Sequence, residues 1–470
     1  MTATFRPTFG PMRAPAVNPV PTEPAGIRIV RRWFFLYLFL LVFEGAFRKW
    51  VVYDIPMASN LMLVARDPVA AILYLYAWQF RLWPRHPMVM GFTALAVCLV
   101  LLGFLQGLVL GINPLIVAYG LRSYVLHLPL ALLMPTFLTR DDLIRIGRWT
   151  LLLTPPMAVL MAAQFWMPPD HILNRTVGEG GEQIGSALGR IRPAGVFSYN
   201  NGPGLFLLIA AAFWVYSFVD RSWISQRLRV VCSGALLVSL AMSGSRGYVL
   251  SFGVVLVFIW LGANFSTRLW SVALRVTLAL AVFGVVLSFS NVFREGVLTF
   301  MTRWDTASDG DVFTAVVLRF LNGFIDVFSV VPGTSLLGAG LGLGSNVGAR
   351  FVSGDMNFLL AEDEWSRSMM EMGLLVGPVW ILYRIFLTTW LTRGSWAALR
   401  RGDALGWLLL GASVINVLIG NTAQPTALGF ITIGAGLCCV ALTTRPRNFE
   451  PPRRPVGARR KPAAPLKSLS

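Results

Sequence analysis

MVMGFTALAVCLVLLGFLQGLVL, residues 88 to 110, runs without one charged side chain. It is as long as the roughly 20 apolar residues that cross a bilayer. A stretch so uniformly apolar is read as a helix, because lipid offers no hydrogen-bond partners to a free backbone. Outward from it the same texture repeats, and we expect about twelve spans. They begin near Trp33, Ala58, Met88, Leu115, Trp149, Pro203, Val230, Tyr248, Ser271, Leu374, Ala404 and Thr426. The predicted fold is an all-α integral membrane protein. Its residues 33–444 form the transmembrane domain, between a disordered N-terminus (1–32) and a disordered basic tail (445–470).

Composition excludes a soluble globule, since 56% of the chain is hydrophobic and only 13% charged, against about a quarter charged in soluble domains. The net charge of +18 therefore reports orientation and not a nucleic-acid partner. Basic residues gather on the cytoplasmic side of membrane proteins. With a cytoplasmic N-terminus, Arg81 and Arg85, Arg140, Arg145 and Arg148, Arg221, Arg227 and Arg229, Arg268, and Arg393, Arg400 and Arg401 all fall in interior connections. Both chain ends are then inside, and the two long polar loops, 168–201 and 291–373, face outward. The outer face of an energised membrane holds no ATP or nucleotide sugars, so any chemistry there must use an already activated substrate.

All four cysteines lie in apolar runs, and none of the three histidines has a partner at ligand spacing; no disulfide framework or metal site is expected. Asp309-Gly310-Asp311 is the sole metal-like pair, and it reads more readily as a turn. The glycine run from Gly338 to Gly344 follows no strand of a βαβ unit, so a tight loop is expected in place of a nucleotide site.

Several residues invite an anionic ligand. Arg190 and Arg192 precede Pro193 at a helix entrance, where the pre-proline position stays extended and each guanidinium offers a planar fork of donors. Arg246, in Ser243-Gly244-Ser245-Arg246-Gly247, sits at the outer boundary as a ligand or as a snorkelling arginine. Arg319 and Asp326 share one face of an amphipathic outer helix over Phe313–Phe328, either facing a cavity or as an ion pair. Glu364, Arg367 and Glu371, spaced three and four apart, form a ladder on one helical face. Glu362 lies off that ladder and is free to act as a base, unless the cluster merely complements the helix dipole.

With these pieces in order, the chain resembles the bacterial O-antigen polymerase/ligase family, polytopic C-type membrane glycosyltransferases. The matching pieces are Arg192-Pro193-Ala194-Gly195, Ser243 to Gly247, Arg319, the glycine run, and the acidic cluster leading to Glu371-Met372-Gly373-Leu374. Together they cover about two fifths of the chain. Ligases of the family carry a His-Asn pair where this chain has Glu362-Asp363, a departure that favours the polymerase branch. The resemblance implies polyprenyl-diphosphate-linked oligosaccharides as substrates and no cofactor. It places the protein in the bacterial inner membrane with its site toward the periplasm, beside a flippase and a chain-length regulator. Glu362, Arg246 and Arg319 are the expected catalytic residues; Arg190, Arg192, Glu364, Arg367 and Arg350 are expected to bind substrate. Ligase and transporter readings stand as alternatives.

Overall fold

The computed structural model describes residues 24–177, 185–305, 312–345, 348–349, 352, 360–361 and 363–444. Among them no strand forms, and one isolated bridge joins Gly185 to Ile191. The helices are α1 (Ala25–Ala46), α2 (Pro56–Gln79), α3 (Pro87–Leu110), α4 (Pro114–Thr136), α5 (Arg140–Trp166), α6 (Asn201–Val219), α7 (Gln226–Met242), α8 (Arg246–Ala263) and α9 (Thr267–Ser288). Then follow α10 (Asn291–Asp305), α11 (Val312–Val330), α12 (Glu364–Arg400), α13 (Leu405–Ile419) and α14 (Pro425–Thr443).

Among the described residues nine helices are long and apolar enough to cross a membrane, as a helical membrane protein requires. All twelve expected starts fall in or beside a helix, but three of those helices miss that standard. Helix α1 carries Arg28, Arg31, Arg32 and Glu44, and α7 and α13 have only 17 and 15 residues. The N-terminal boundary also moves. The helix begins at Ala25 and not after residue 32, because Arg31 is bonded within the protein, to the Phe137 carbonyl at 2.9 Å and to Asp142 at 3.1 Å. Helix α5 begins nine residues before the expected Trp149, where Thr139 and Asp142 form a capping box around a polar first turn. The N-terminal residues 1–23 and the tail 445–470 lie outside the described residues.

Helices α6 and α14 form the centre, with 83% and 89% of the residues in their apolar windows buried, whereas only 17% are buried in α9, which lies at the outside of the bundle. Close approach rests on small residues, as is usual where lipid removes the hydrophobic drive between helices. A Cβ on Gly436 would meet Met134 Sδ at 2.1 Å, and one on Gly429 would meet Leu41 Cδ1 at 2.3 Å. The bundle has two unlike ends, one bearing the long stretches 168–201 and 291–363 and the other the short basic connections.

Helix α12 is two helices. Glu364 and Arg384 are twenty residues apart, which would separate them by about 30 Å along a straight helix, yet Arg384 Nη1 lies 2.9 Å from Glu364 Oε1. A Cβ on Gly377 would likewise sit 3.1 Å from Met369 Cα. The chain therefore reverses at Gly373, whose φ of 70° and ψ of −177° no helix contains. Residues 364–372 form a re-entrant arm folded against the span that follows, and that span begins at Leu374, as expected.

The loop 335–344 closes the reversal. It accepts the N–H of Leu374 on Ser335 O (3.2 Å) and that of Leu375 on Leu336 O (3.3 Å), and Ala339 N donates to Met370 O (2.7 Å). Gln106 on α3 completes it, donating to Leu337 O and Glu371 O and accepting from Leu341 N. A side chain at Gly373 would sit 2.3 Å from Gly338 N and Leu336 O. We expect Gly373→Ala to cost at least about 2 kcal/mol through backbone strain and collision. The measurement is a large loss of monodisperse protein after detergent extraction; wild-type yield and melting behaviour would refute this account of the reversal.

Candidate active site

Two π-helical turns, Phe47–Val51 and Arg122–Leu126, break α-helical register near the loop-bearing end; such turns are frequent at functional sites. The first presents Arg48 and Lys49, and the second presents Arg122 and Tyr124. With Glu44 on α1 and Arg66 and Asp67 on α2 they build a charged network inside the bundle. Arg66 Nε lies 3.3 Å from Glu44 Oε2, and its Nη2 donates to Pro425 O at 2.7 Å. Arg48 Nη1 is 3.7 Å from Glu44 Oε1. Asp67 accepts from Arg122 and meets His127 Nε2 at 3.1 Å, while His127 Nδ1 meets the Tyr37 hydroxyl at 3.0 Å.

Four basic groups, Arg48, Lys49, Arg66 and Arg122, thus face two carboxylates. The Nη1 atoms of Arg66 and Arg122 are buried with no protein acceptor. Uncompensated positive charge in a low-dielectric setting attracts an anion. None of these four residues was expected from sequence, since they interrupt stretches read only as spans. Ionisable residues inside apolar runs were the signal that would have found them.

The loop carrying Arg192-Pro193-Ala194-Gly195 packs on this network. Lys49 Nζ donates to Gly195 O at 2.5 Å, and Arg48 Nη1 donates to Ser198 Oγ at 3.2 Å. Gln164 on α5 brackets the same glycine, accepting from Gly195 N and donating to its carbonyl. Arg192 itself is half-buried, with an Nε that meets no protein acceptor. It lies beside the Ser243–Gly247 turn, for a Cβ on Gly244 would come 3.5 Å from Arg192 Cγ. Arg246 opens α8 directly after Ser245, whose hydroxyl caps the helix through Tyr248 N. The first two arginine motifs expected from sequence are therefore neighbours in space.

Other expected residues are placed differently. Arg190 pairs with Glu295 on α10 and lies over the Trp166 ring at 4.4 Å, so it ties α10 to the loop. Glu364 and Arg367 do form the expected ladder with Glu371, but it turns into the protein. Both are buried, because the re-entrant arm lays this face against α4, α13 and the 420–424 connection. Glu364 Oε2 takes Arg367 Nη2 (2.6 Å) and Thr422 N (2.9 Å), and Oε1 takes Thr422 Oγ1 (2.7 Å). Glu371 accepts from Tyr124 (2.8 Å), Arg367 (3.0 Å) and the amides of Gly342 (3.1 Å) and Gly344 (2.8 Å). The glycine run is thus a nest for an internal carboxylate, with Gly338, Gly340 and Gly342 at positive φ. Arg319 lies on α11, its side chain outside the described residues. Glu362, Arg350, Asp309 and Asp311 also lie outside them. Among the described residues no three His, Cys, Asp or Glu side chains gather to hold a metal.

Beneath the Arg192 loop, an apolar cavity of about 380 Å³ opens between α1, α5, α6 and α14, lined by Phe35, Phe39, Phe43, Phe206, Phe430 and Leu437 among others. Phe197 of the loop contacts Phe206 and Phe430 from above, with ring centroids 6.2 and 5.6 Å apart.

Removing one partner of a buried ion cluster strands the others, at about 3–5 kcal/mol. Glu364→Ala should therefore prevent recovery of folded protein, whereas Glu295→Ala, in a pair 24% and 29% exposed, should cost less than about 1 kcal/mol; parallel detergent melts decide.

No protein-family model matches the chain, and no curated protein is similar to it.

Proposed function

We propose that this chain polymerises polyprenyl-diphosphate-linked oligosaccharide repeat units into O-antigen, capsular or exopolysaccharide at the outer face of the bacterial inner membrane. In this reading the chain makes twelve crossings with both ends inside. The observation that carries it is the excess of buried positive charge at the loop-bearing end, in contact with the loop that holds Arg192. Such a site suits a diphosphate, whose oxygens accept several charge-assisted hydrogen bonds at once. The apolar cavity below the same loop offers room for part of a lipid tail.

The chemistry is a direct displacement. An acceptor sugar hydroxyl attacks the anomeric carbon, the bond from that carbon to the diphosphate oxygen breaks, and the configuration inverts. Glu362, next to the Asp363 cap of the re-entrant arm, takes the hydroxyl proton. Arg192, Arg246 and Arg319 stabilise the charge that builds on the departing diphosphate, which makes the reaction independent of metal. Arg48 and Arg122 reinforce that field from within the bundle. Arg190, Glu364 and Arg367 support the site's shape, and Arg350 contacts the substrate. A flippase supplies the repeat units, and a chain-length regulator is an expected partner.

Deleting the gene should leave single repeat units on a surface-glycan gel, and persisting long chains would overturn the reading. Full-length polymer stranded on the lipid carrier would mark a ligase, and repeat units trapped inside would mark a flippase. With purified enzyme and lipid-linked repeat units, Arg246→Lys should fall at least about tenfold, close to Arg246→Ala, because one ammonium cannot bridge two phosphate oxygens as a guanidinium does.

A further inference from the structure

At the end opposite the long loops lies a cavity of about 680 Å³, enclosed by the start of α5, the end of α6, the start of α9 and the 402–404 connection. Its charges are of two kinds. Arg140 is an internal strut, donating 3.0 and 2.9 Å bonds to the two oxygens of Asp403 and a 3.3 Å bond to the Tyr216 hydroxyl. Asp220 is likewise occupied, by Ser222 N and Oγ.

The other arginines keep donors in reserve. Arg148 spends Nε and Nη2 on Trp223 O, which leaves Nη1, and Arg268 spends Nη2 on Val219 O, which leaves Nε and Nη1. Arg145 is 59% exposed and only 3.7 Å from Asp142. Asp141 also lines the space, but the four arginines of the wall outnumber its three aspartates, Asp141, Asp220 and Asp403.

A ligand that fits must bring several acceptor oxygens and negative charge in a volume typical of small-molecule sites. We propose that this cavity binds a phosphate-bearing ligand through Arg145, Arg148 and Arg268, either a phospholipid head group or a soluble phosphate ester. Bound there, the phosphate bridges α5 and α9 at the end of the molecule remote from the proposed chemistry.

The test uses purified, delipidated full-length protein in neutral detergent, with the melting midpoint as readout. Glycerol 1-phosphate and phosphatidylglycerol in mixed micelles are titrated separately, with diacylglycerol as the phosphate-free control. A saturable rise with either phosphate compound and none with diacylglycerol is expected. A response to glycerol 1-phosphate identifies a soluble ester, and a response to phosphatidylglycerol alone identifies a head group. The Arg145→Gln/Arg268→Gln variant should need at least tenfold more ligand for the half-maximal rise. Because Arg268 also holds a carbonyl, Arg145→Gln alone, at an exposed site, is run beside it and should weaken binding about threefold. Absence of a phosphate-specific rise, or unchanged affinity in Arg145→Gln, overturns the proposal.

Discussion

A carboxylate taken out of water must find positive charge or hydrogen bonds close by, and Glu364 shows how much structure that requirement can organise. Its two oxygens draw in Arg367 from its own arm, Arg384 from the span beyond the reversal, and Thr422 from the connection before α14. Arg384 in turn takes the carbonyls of Asn416, Val417 and Gly420 at the end of α13. One buried charge thus fixes where three helices meet, and seven residues along, Glu371 repeats the device for the glycine loop and α4. Without these pairs the re-entrant arm would have a polar face against apolar neighbours, a state that costs several kcal/mol for each ion. The reversal at Gly373 and the course of the loop above it both depend on that balance.

The two charged networks differ in how nearly they cancel. Around Glu364 and Glu371, two carboxylates meet two arginines, so the charges cancel, although Arg367 Nε and Arg384 Nη1 make no hydrogen bond. Around Arg66 four cations meet two carboxylates, and the positive charge is in excess. A cancelled network holds shape, whereas one with surplus charge retains affinity for something absent from the protein itself. That contrast, and not proximity to the long loops alone, separates the proposed diphosphate site from its scaffold.

The membrane-embedded helical fold was legible from the sequence because twenty-residue apolar runs have so few physical solutions. The start of the last long span at Leu374 was legible too, since Gly373 stands where a helix cannot continue. The polar first turn of α5 was not: it begins with charged residues that tertiary partners bury, and apolarity alone cannot see those partners. Within the site, the nearness of the Arg192 and Ser243–Gly247 motifs agrees with their joint selection. The spacing of Glu364, Arg367 and Glu371 gave the right face of the helix, but spacing does not tell whether that face meets solvent or protein. Arg48, Lys49, Arg66 and Arg122 were overlooked because each stood in a stretch judged by its average.

The π-helical turn at Arg122–Leu126 carries a consequence for that averaging. A π turn admits about one residue more than an α turn, which advances every later side chain by roughly 100° around the axis. Residues of α4 before Arg122 and those after Leu126 therefore follow the same period with different phase. An apolar stripe that would wind along one side of an unbroken helix is divided into two offset stripes, and a single periodic wave laid over residues 114–136 partly cancels itself. Within the interval where the phase slips, Arg122 turns to Asp67 while Tyr124, two residues on, turns to Glu371, so that one short stretch of backbone addresses two separate charge networks.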